Sequence, residues 1–149
     1  MPTAERKRKG LTPFGARVRQ LRAARGMTLQ QLAAELGVSA AYLSALEHGR
    51  RGRPSWWLVQ RIIGVFHIIW DEAEELIELA RLSHPRPVID TSGLSPEATL
   101  LANLLAERIH ALDEDTLRQM LQLLRNQNGA SAPPQAESRS AAPADTSRR

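Results

Sequence analysis

The sequence predicts an all-helical protein, and three observations carry that prediction. No segment alternates apolar and polar residues for long, and only residues 88–89 read as extended. Apolar residues recur instead at spacings of three and four. Helix-start signals punctuate the chain, with a cap followed by proline at Thr12-Pro13 and again at Ser95-Pro96, and capping boxes at residues 28–31 and 71–74.

In the first helix Thr12 caps, Pro13 takes the first helical position, and Phe14, Val18 and Leu21 share a face before Gly26 ends the helix. Thr28 and Gln31 open a second helix, whose inner stripe is Leu29, Leu32, Ala33 and Leu36, with Gly37 at the position after the helix where glycine is favoured. Ser39 caps a third, with Leu43 and Leu46 inward and Gly49 at its end. Ser55 caps a fourth, striped by Leu58, Ile62 and Phe66. The box at Asp71 and Glu74 opens a fifth, running through Leu76, Leu79, Ala80 and Leu82. Residues 83–93 (SHPRPVIDTSG) hold two prolines and no helical period, and read as a linker.

Beyond them a helix from Ser95 carries Ala98, Leu101, Leu105 and Leu112 on one side, with Leu100, Leu104 and Ile109 beside them. Asp113 caps a last helix holding Leu117, Met120, Leu121 and Leu124. From Gly129 the composition turns to Ala, Ser and Pro, which cannot bury a core and predicts a disordered tail. The expected organisation is a basic flexible arm (1–10), a first domain (11–82), a linker (83–94), a helical hairpin (95–127) and a disordered tail (128–149).

Charge divides along the same line. Residues 1–70 hold twelve Lys and Arg and three acids, a balance of +9, whereas residues 71–149 hold eight Arg and 13 acids, a balance of −5. A basic half joined to an acidic half implies two jobs, the first with a polyanion as partner. Cysteine is absent, which excludes disulfides and thiolate-bound metal. The longest apolar run, residues 62–70, is too short for a membrane span of roughly 20 residues. The start MPTAERKRKG lacks the apolar core of a secretion signal, so a cytoplasmic, nucleoid-associated protein is expected.

Catalytic and metal chemistry find no footing. His48, His67, His84 and His110 are scattered without ligand spacing, so no metal and no cofactor are expected. The acids at residues 71–78 and 113–115 coincide with helix starts, where the helix dipole favours negative charge. There is no phosphate-cradling glycine loop and no nucleophile motif, and an enzyme is not expected. Trp56, Trp57 and Trp70 are expected to pack in the core or at an interface.

The chemistry concentrates in residues 28–51, TLQQLAAELGVSAAYLSALEHGRR. Gly37 permits the positive φ of a tight turn, Val38 plugs the angle between two helices, and Ser39 restarts the chain. Ala33 is small where the third helix crosses. Such a unit can hold one helix out from the body to enter the DNA major groove. The pattern Leu32-Ala33, Gly37-Val38-Ser39, Tyr42-Leu43-Ser44, Leu46-Glu47 and Gly49 resembles the lambda-repressor-like helix-turn-helix regulators, also called the xenobiotic-response-element family. The likeness covers about residues 11–82.

The resemblance implies a five-helix DNA-binding domain of a bacterial regulator, with residues 39–48 as the recognition helix, binding double-stranded DNA as a dimer on a two-fold-symmetric operator. Family members often have glutamine near the start of the second helix, where this chain has Leu29 flanked by Gln30 and Gln31. They often carry long polar residues just after the turn, where it has Ala40 and Ala41. Neither alanine can make a bidentate base contact, worth about 1–3 kcal/mol. Base reading then falls to Tyr42, Ser44, His48 and Arg50, with Ala40 and Ala41 limited to thymine methyl groups. Phosphate contacts are expected from Arg17, Arg22, Thr28, Gln30, Gln31, Ser39, Arg50, Arg51 and Arg53, with Arg25 flanking the first helix, and the arm Arg6-Lys7-Arg8-Lys9 can follow the minor groove.

Two C-terminal helices alone cannot bury all their leucines. Leu101, Leu105, Leu112, Leu117, Leu121 and Leu124 are therefore candidates for a homodimer interface. Two alternatives remain open: an antitoxin-like autoregulator whose acidic half grips a partner protein, and an interaction adaptor that has lost specific DNA binding.

Overall fold

The computed structural model describes residues 10–128, and among them the chain is all-helical. It divides between Ile89 and Asp90 into two compact units. The first contains α1 (Pro13–Ala24), α2 (Leu29–Leu36), α3 (Ala40–Glu47), α4 (Trp56–Phe66) and α5 (Trp70–Arg81). The second contains α6 (Pro96–Arg108), a 3-10 turn (Ile109–Ala111) and α7 (Glu114–Asn128).

Capping begins the first four helices as their sequences direct. Thr12, Thr28, Ser39 and Ser55 are extended, and each side-chain oxygen accepts a backbone N–H from the first turn. At Thr28 the box is complete, because Gln31 Oε1 also accepts the Thr28 N–H at 2.8 Å. The turn between α2 and α3 is set by Gly37, whose φ of +67° suits a residue without Cβ. Apolar faces of all five helices then meet in one core, with Phe14, Val18, Leu32, Leu36, Leu43, Leu46, Leu58, Ile62 and Leu76 almost wholly buried. Val38 packs half-buried against it.

Four expectations need correcting. The fifth helix starts at Trp70, with Ile69 as an N-cap lacking a side-chain bond. The expected box at Asp71 does not form, because Asp71 is already inside the helix, in its first turn. The two residues before Trp70 are drawn differently: Ile68 is buried in the core and Ile69 is exposed. None of the tryptophans is in the core: Trp56 is 66% exposed, Trp57 55% and Trp70 82%. On α4 the inward face is taken by Leu58, Val59, Ile62 and Phe66, and the helical period turns Trp56 and Trp57 outward. Leu82, expected on the inner stripe, lies just past α5 and is exposed. Ser83, expected to open the linker, is buried: its Oγ accepts the Phe14 N–H at 2.9 Å and donates to the Leu79 carbonyl at 2.5 Å. Pro85 reaches Gly49, where an added Cβ would lie 3.3 Å from it.

A close contact joins α1 to the end of α3. The Glu47 carbonyl accepts the Thr12 N–H at 2.9 Å and the Thr12 hydroxyl at 3.3 Å. Gly15 lies against the same peptide, so closely that a Cβ there would sit 2.2 Å from the Glu47 oxygen. The Glu47 carboxylate is 1% exposed and accepts Arg22 Nη2 at 3.1 and 3.3 Å, with Arg19 Nη2 at 3.8 Å.

In the second unit no described residue of α6 or α7 is fully buried. Ala98, Ala102, Leu105, Leu112, Thr116, Leu117 and Met120 are half-buried, whereas Leu101, Leu121 and Leu124 are exposed. Asp113 Oδ1 accepts the Thr116 N–H at 2.7 Å, which holds its carboxyl below the usual range. The tail from Gly129 lies outside the described residues.

Two stability outcomes follow from the α1–α3 contact, and a third from α4. Gly15→Ala should lower stability by about 1–3 kcal/mol, because overpacking against backbone outweighs alanine's better helix propensity. Glu47→Ala leaves Arg22 with a mostly buried, unmatched charge and should cost about 3 kcal/mol. Gly64→Ala, in a helix interior with open space around it, should raise stability by roughly 0.5–1 kcal/mol. Urea midpoints at unchanged slope would measure all three, and a neutral Glu47→Ala would refute the role given to the ion pair.

Candidate nucleic-acid interface

The surface of the first unit around α3 is built from one short helix and the loop that follows it. With Leu43, Leu46 and Glu47 buried, helical spacing leaves Ala41, Ser44, Ala45 and His48 along the outward side. Ala41 is exposed, and Ser44, Ala45 and His48 are half-buried. Ala40 is turned inward and packs against the core. Ser39 spends its hydroxyl as the cap, accepting the Tyr42 N–H at 3.1 Å.

Ala45 is absent from the sequence candidates. Its spacing of four from Ala41 is the signal that could find it, and an alanine carries no polar group to draw notice. His48 Nδ1 lies 2.8 Å from the Ser44 carbonyl. A carbonyl only accepts, so Nδ1 donates and Nε2 is left free. His48 also lines a recess of about 290 Å³ with Gly10, Thr12 and His84. Gly10 lies beside His48, at the root of the segment that holds Arg6, Lys7, Arg8 and Lys9. Those four residues lie outside the described residues.

The arginines separate into two groups. Arg50, Arg51 and Arg53 follow α3 and are all exposed. The Arg51 guanidinium lies 6.0 Å from the centre of the Tyr42 ring, so these two candidates sit together. The arginines of α1 are turned to the protein itself. Arg22 is 11% exposed and holds Glu47, which removes it from a set expected to face phosphates. Arg17 reaches Glu75 at 3.7 Å and Glu72 at 4.0 Å on α5, so its charge is offset within the domain. Arg25, beyond the end of α1, donates to the Val65 and Phe66 carbonyls and lies over the Phe66 ring. Thr28 and Gln31 are engaged in their capping box, and Gln30 is exposed beside them.

The geometry therefore brings Ala41, Ser44, His48, Tyr42 and the 50–53 arginines to one end of the domain and leaves Arg17 and Arg22 inside its ion pairs. Among the described residues no three His, Cys, Asp or Glu side chains gather as a metal site requires, and no helix is long and apolar enough to cross a membrane. The six leucine candidates belong to the second unit, where Leu101, Leu121 and Leu124 are exposed and Leu105, Leu112 and Leu117 half-buried.

Comparison with known proteins finds likenesses over the first unit. A family model described as "Helix-turn-helix domain" matches residues 13–76. The chain is 36% identical over 61 residues to the uncharacterized HTH-type transcriptional regulator RghRB of Bacillus subtilis (strain 168), covering 41% of this chain and 44% of that protein. It is 38% identical over 58 residues to the HTH-type transcriptional repressor RghR of the same organism, covering 39% and 43%. The chain thus spans less than half the length of the curated relatives it matches. A chain from a SinR protein/SinI protein complex is a remote likeness, 21% identical with a TM-score of 0.38, covering 78% of this chain and 98% of that one. Residues 13–76 of this chain are a helix-turn-helix domain.

Proposed function

We propose that the chain is a DNA-binding transcriptional regulator, not an enzyme, which lays α3 in the major groove and binds a two-fold-symmetric operator as a dimer. The observation that carries this reading is the juxtaposition of an outward helix face with arginines that no described acid engages. Ala41, Ser44 and Ala45 are small enough to let α3 approach base edges closely, and the exposure of Arg50, Arg51 and Arg53 just after α3 supports their use on phosphates. Direct readout is then sparse, resting on Ser44, Tyr42 and His48, and affinity is mostly electrostatic. The sequence of residues 6–9 adds four positive charges to this half of the chain. Both curated relatives are named transcriptional regulators, which supports the assignment. Cytoplasmic and nucleoid residence goes with it.

Residues 11–82 are assigned to DNA, residues 83–94 to connection and residues 95–127 to pairing of two chains. The absence of any buried described residue in α6 supports the pairing, because its leucines lack cover within their own unit. The same observation favours a second reading, in which these helices hold a different protein, as an antitoxin-like autoregulator or an adaptor would.

Selection of duplexes from a random pool at about physiological salt should yield a palindromic consensus, and a failure to enrich any sequence would overturn specific recognition. Substituting alanine for Arg50 and Arg51 together should weaken binding to all sequences alike and reduce the salt slope by about 2. An unchanged slope would remove these residues from the contact surface. The pair Leu121→Glu and Leu124→Glu, at exposed positions, should convert a sedimenting dimer to monomer and flatten the dependence of operator binding on a second half-site. A wild-type chain that sediments as a monomer would leave the partner-binding reading in possession of the leucine face.

A further inference from the structure

A cavity of about 310 Å³ opens between the segment that follows α3, the start of α4 and the end of α5. Its size falls at the lower end of small-molecule sites, about 300–1,000 Å³. Val59, Ile77 and Ala80 give it an apolar floor, and Trp56, 66% exposed, stands at its wall. Two arginines border it, and they are not equivalent. Arg81 is engaged by Glu78, through Nε to Oε2 at 2.8 Å and Nη2 to Oε1. Arg53 makes no hydrogen bond or ion pair with any described residue. The Ser55 hydroxyl, also on the rim, is occupied as the cap of α4, accepting the Leu58 N–H at 3.3 Å.

What the cavity offers is therefore an apolar bed, an indole edge or face, and a single unmatched cation. A cationic guest would meet Arg53 unfavourably. A neutral polar guest would lose its hydration over Val59, Ile77 and Ala80 with little returned. An anion with an apolar body satisfies both the floor and the guanidinium. Arg53 also stands among the arginines assigned above to DNA phosphates.

We propose that this cavity binds a small organic anion with an apolar body, an aryl or branched-alkyl carboxylate, and that the bound anion occupies Arg53 and so weakens DNA binding. The coupling rests on the DNA-binding reading of Arg53, whereas the site itself does not.

The probe is 4-phenylbutyrate, with 4-phenylbutyramide as its uncharged counterpart and acetate to match ionic strength, titrated into the full-length protein and followed by backbone amide NMR. The expected result is a saturable shift confined to residues around 53–59 and 77–81. Its affinity should be about tenfold higher for the acid than for the amide, the scale of one charge-assisted hydrogen bond. Trp56→Ala, at an exposed position outside the DNA-facing set, should weaken the acid at least several-fold while its spectrum stays folded. Absence of a saturable shift at millimolar probe, equal binding of acid and amide, or indifference to Trp56→Ala would each overturn the site.

In a second arm, anisotropy of a labelled duplex should show DNA affinity falling several-fold at saturating 4-phenylbutyrate, with the concentration needed for half the effect several-fold higher in Trp56→Ala than in the wild type. Acetate at the same ionic strength should leave it unchanged. DNA affinity untouched by the probe would overturn the coupling. Should the protein bind no duplex at all, the DNA reading fails by itself and the NMR arm still decides the site.

Discussion

The peptide at Glu47 is the contact on which the placement of α3 depends. Its carbonyl takes two donors from Thr12, its carboxylate takes Arg22, and Gly15 removes the side chain that would hold α1 away from it. A carboxylate buried to 1% exposure is tolerable only if its charge and lone pairs are answered, and a guanidinium does both. The result is that the last residue of α3 is tied to both ends of α1, through the cap at Thr12 and through Arg22 in the last turn. An eight-residue helix is too short to be stable alone, so α3 holds its angle because of these ties and of Leu43 and Leu46 beneath it.

The same contact divides the arginines. A count of positive charge in the first half of the chain suggests a uniform basic face, but a guanidinium committed to Glu47, or to Glu72 and Glu75, contributes little field beyond its own ion pair. The charge that remains directed at solvent near α3 is that of Arg50, Arg51 and Arg53. Among the described residues, exposed positive charge is thereby gathered just beyond the end of one helix.

The second unit shows the opposite economy. Its helices are well capped, by Ser95 and Asp113, and carry ion pairs of Arg118 with Glu114 and Asp115 on the surface. Yet caps and surface pairs are worth little against the conformational entropy of ordering two helices, and no described residue there is buried deeply enough for the hydrophobic effect to offset that entropy. Apolar area left in water on α6 and α7 is the physical reason for looking to a second chain.

Local chemistry decided much of this protein. The starts of α1 to α4, the turn at Gly37 and the inward stripes of Leu32, Leu36, Leu43, Leu46, Leu58 and Ile62 were legible from neighbours within one or two helical turns, because caps and helical periodicity act over that range. The helix-turn-helix character was legible for the same reason, since its pattern spans only two helices and a turn. Other features required the folded chain. Whether Arg22 faces phosphate or Glu47, whether Ser83 is linker or core, and whether Trp56 and Trp57 are buried all depend on which distant segment lies opposite. Capping at Asp71 was overridden as well: Ile68 is held in the core and the chain enters α5 at Trp70. Only the packing of five helices around one core decides such cases, because a side chain's partner there is set by proximity in space and not by spacing along the chain.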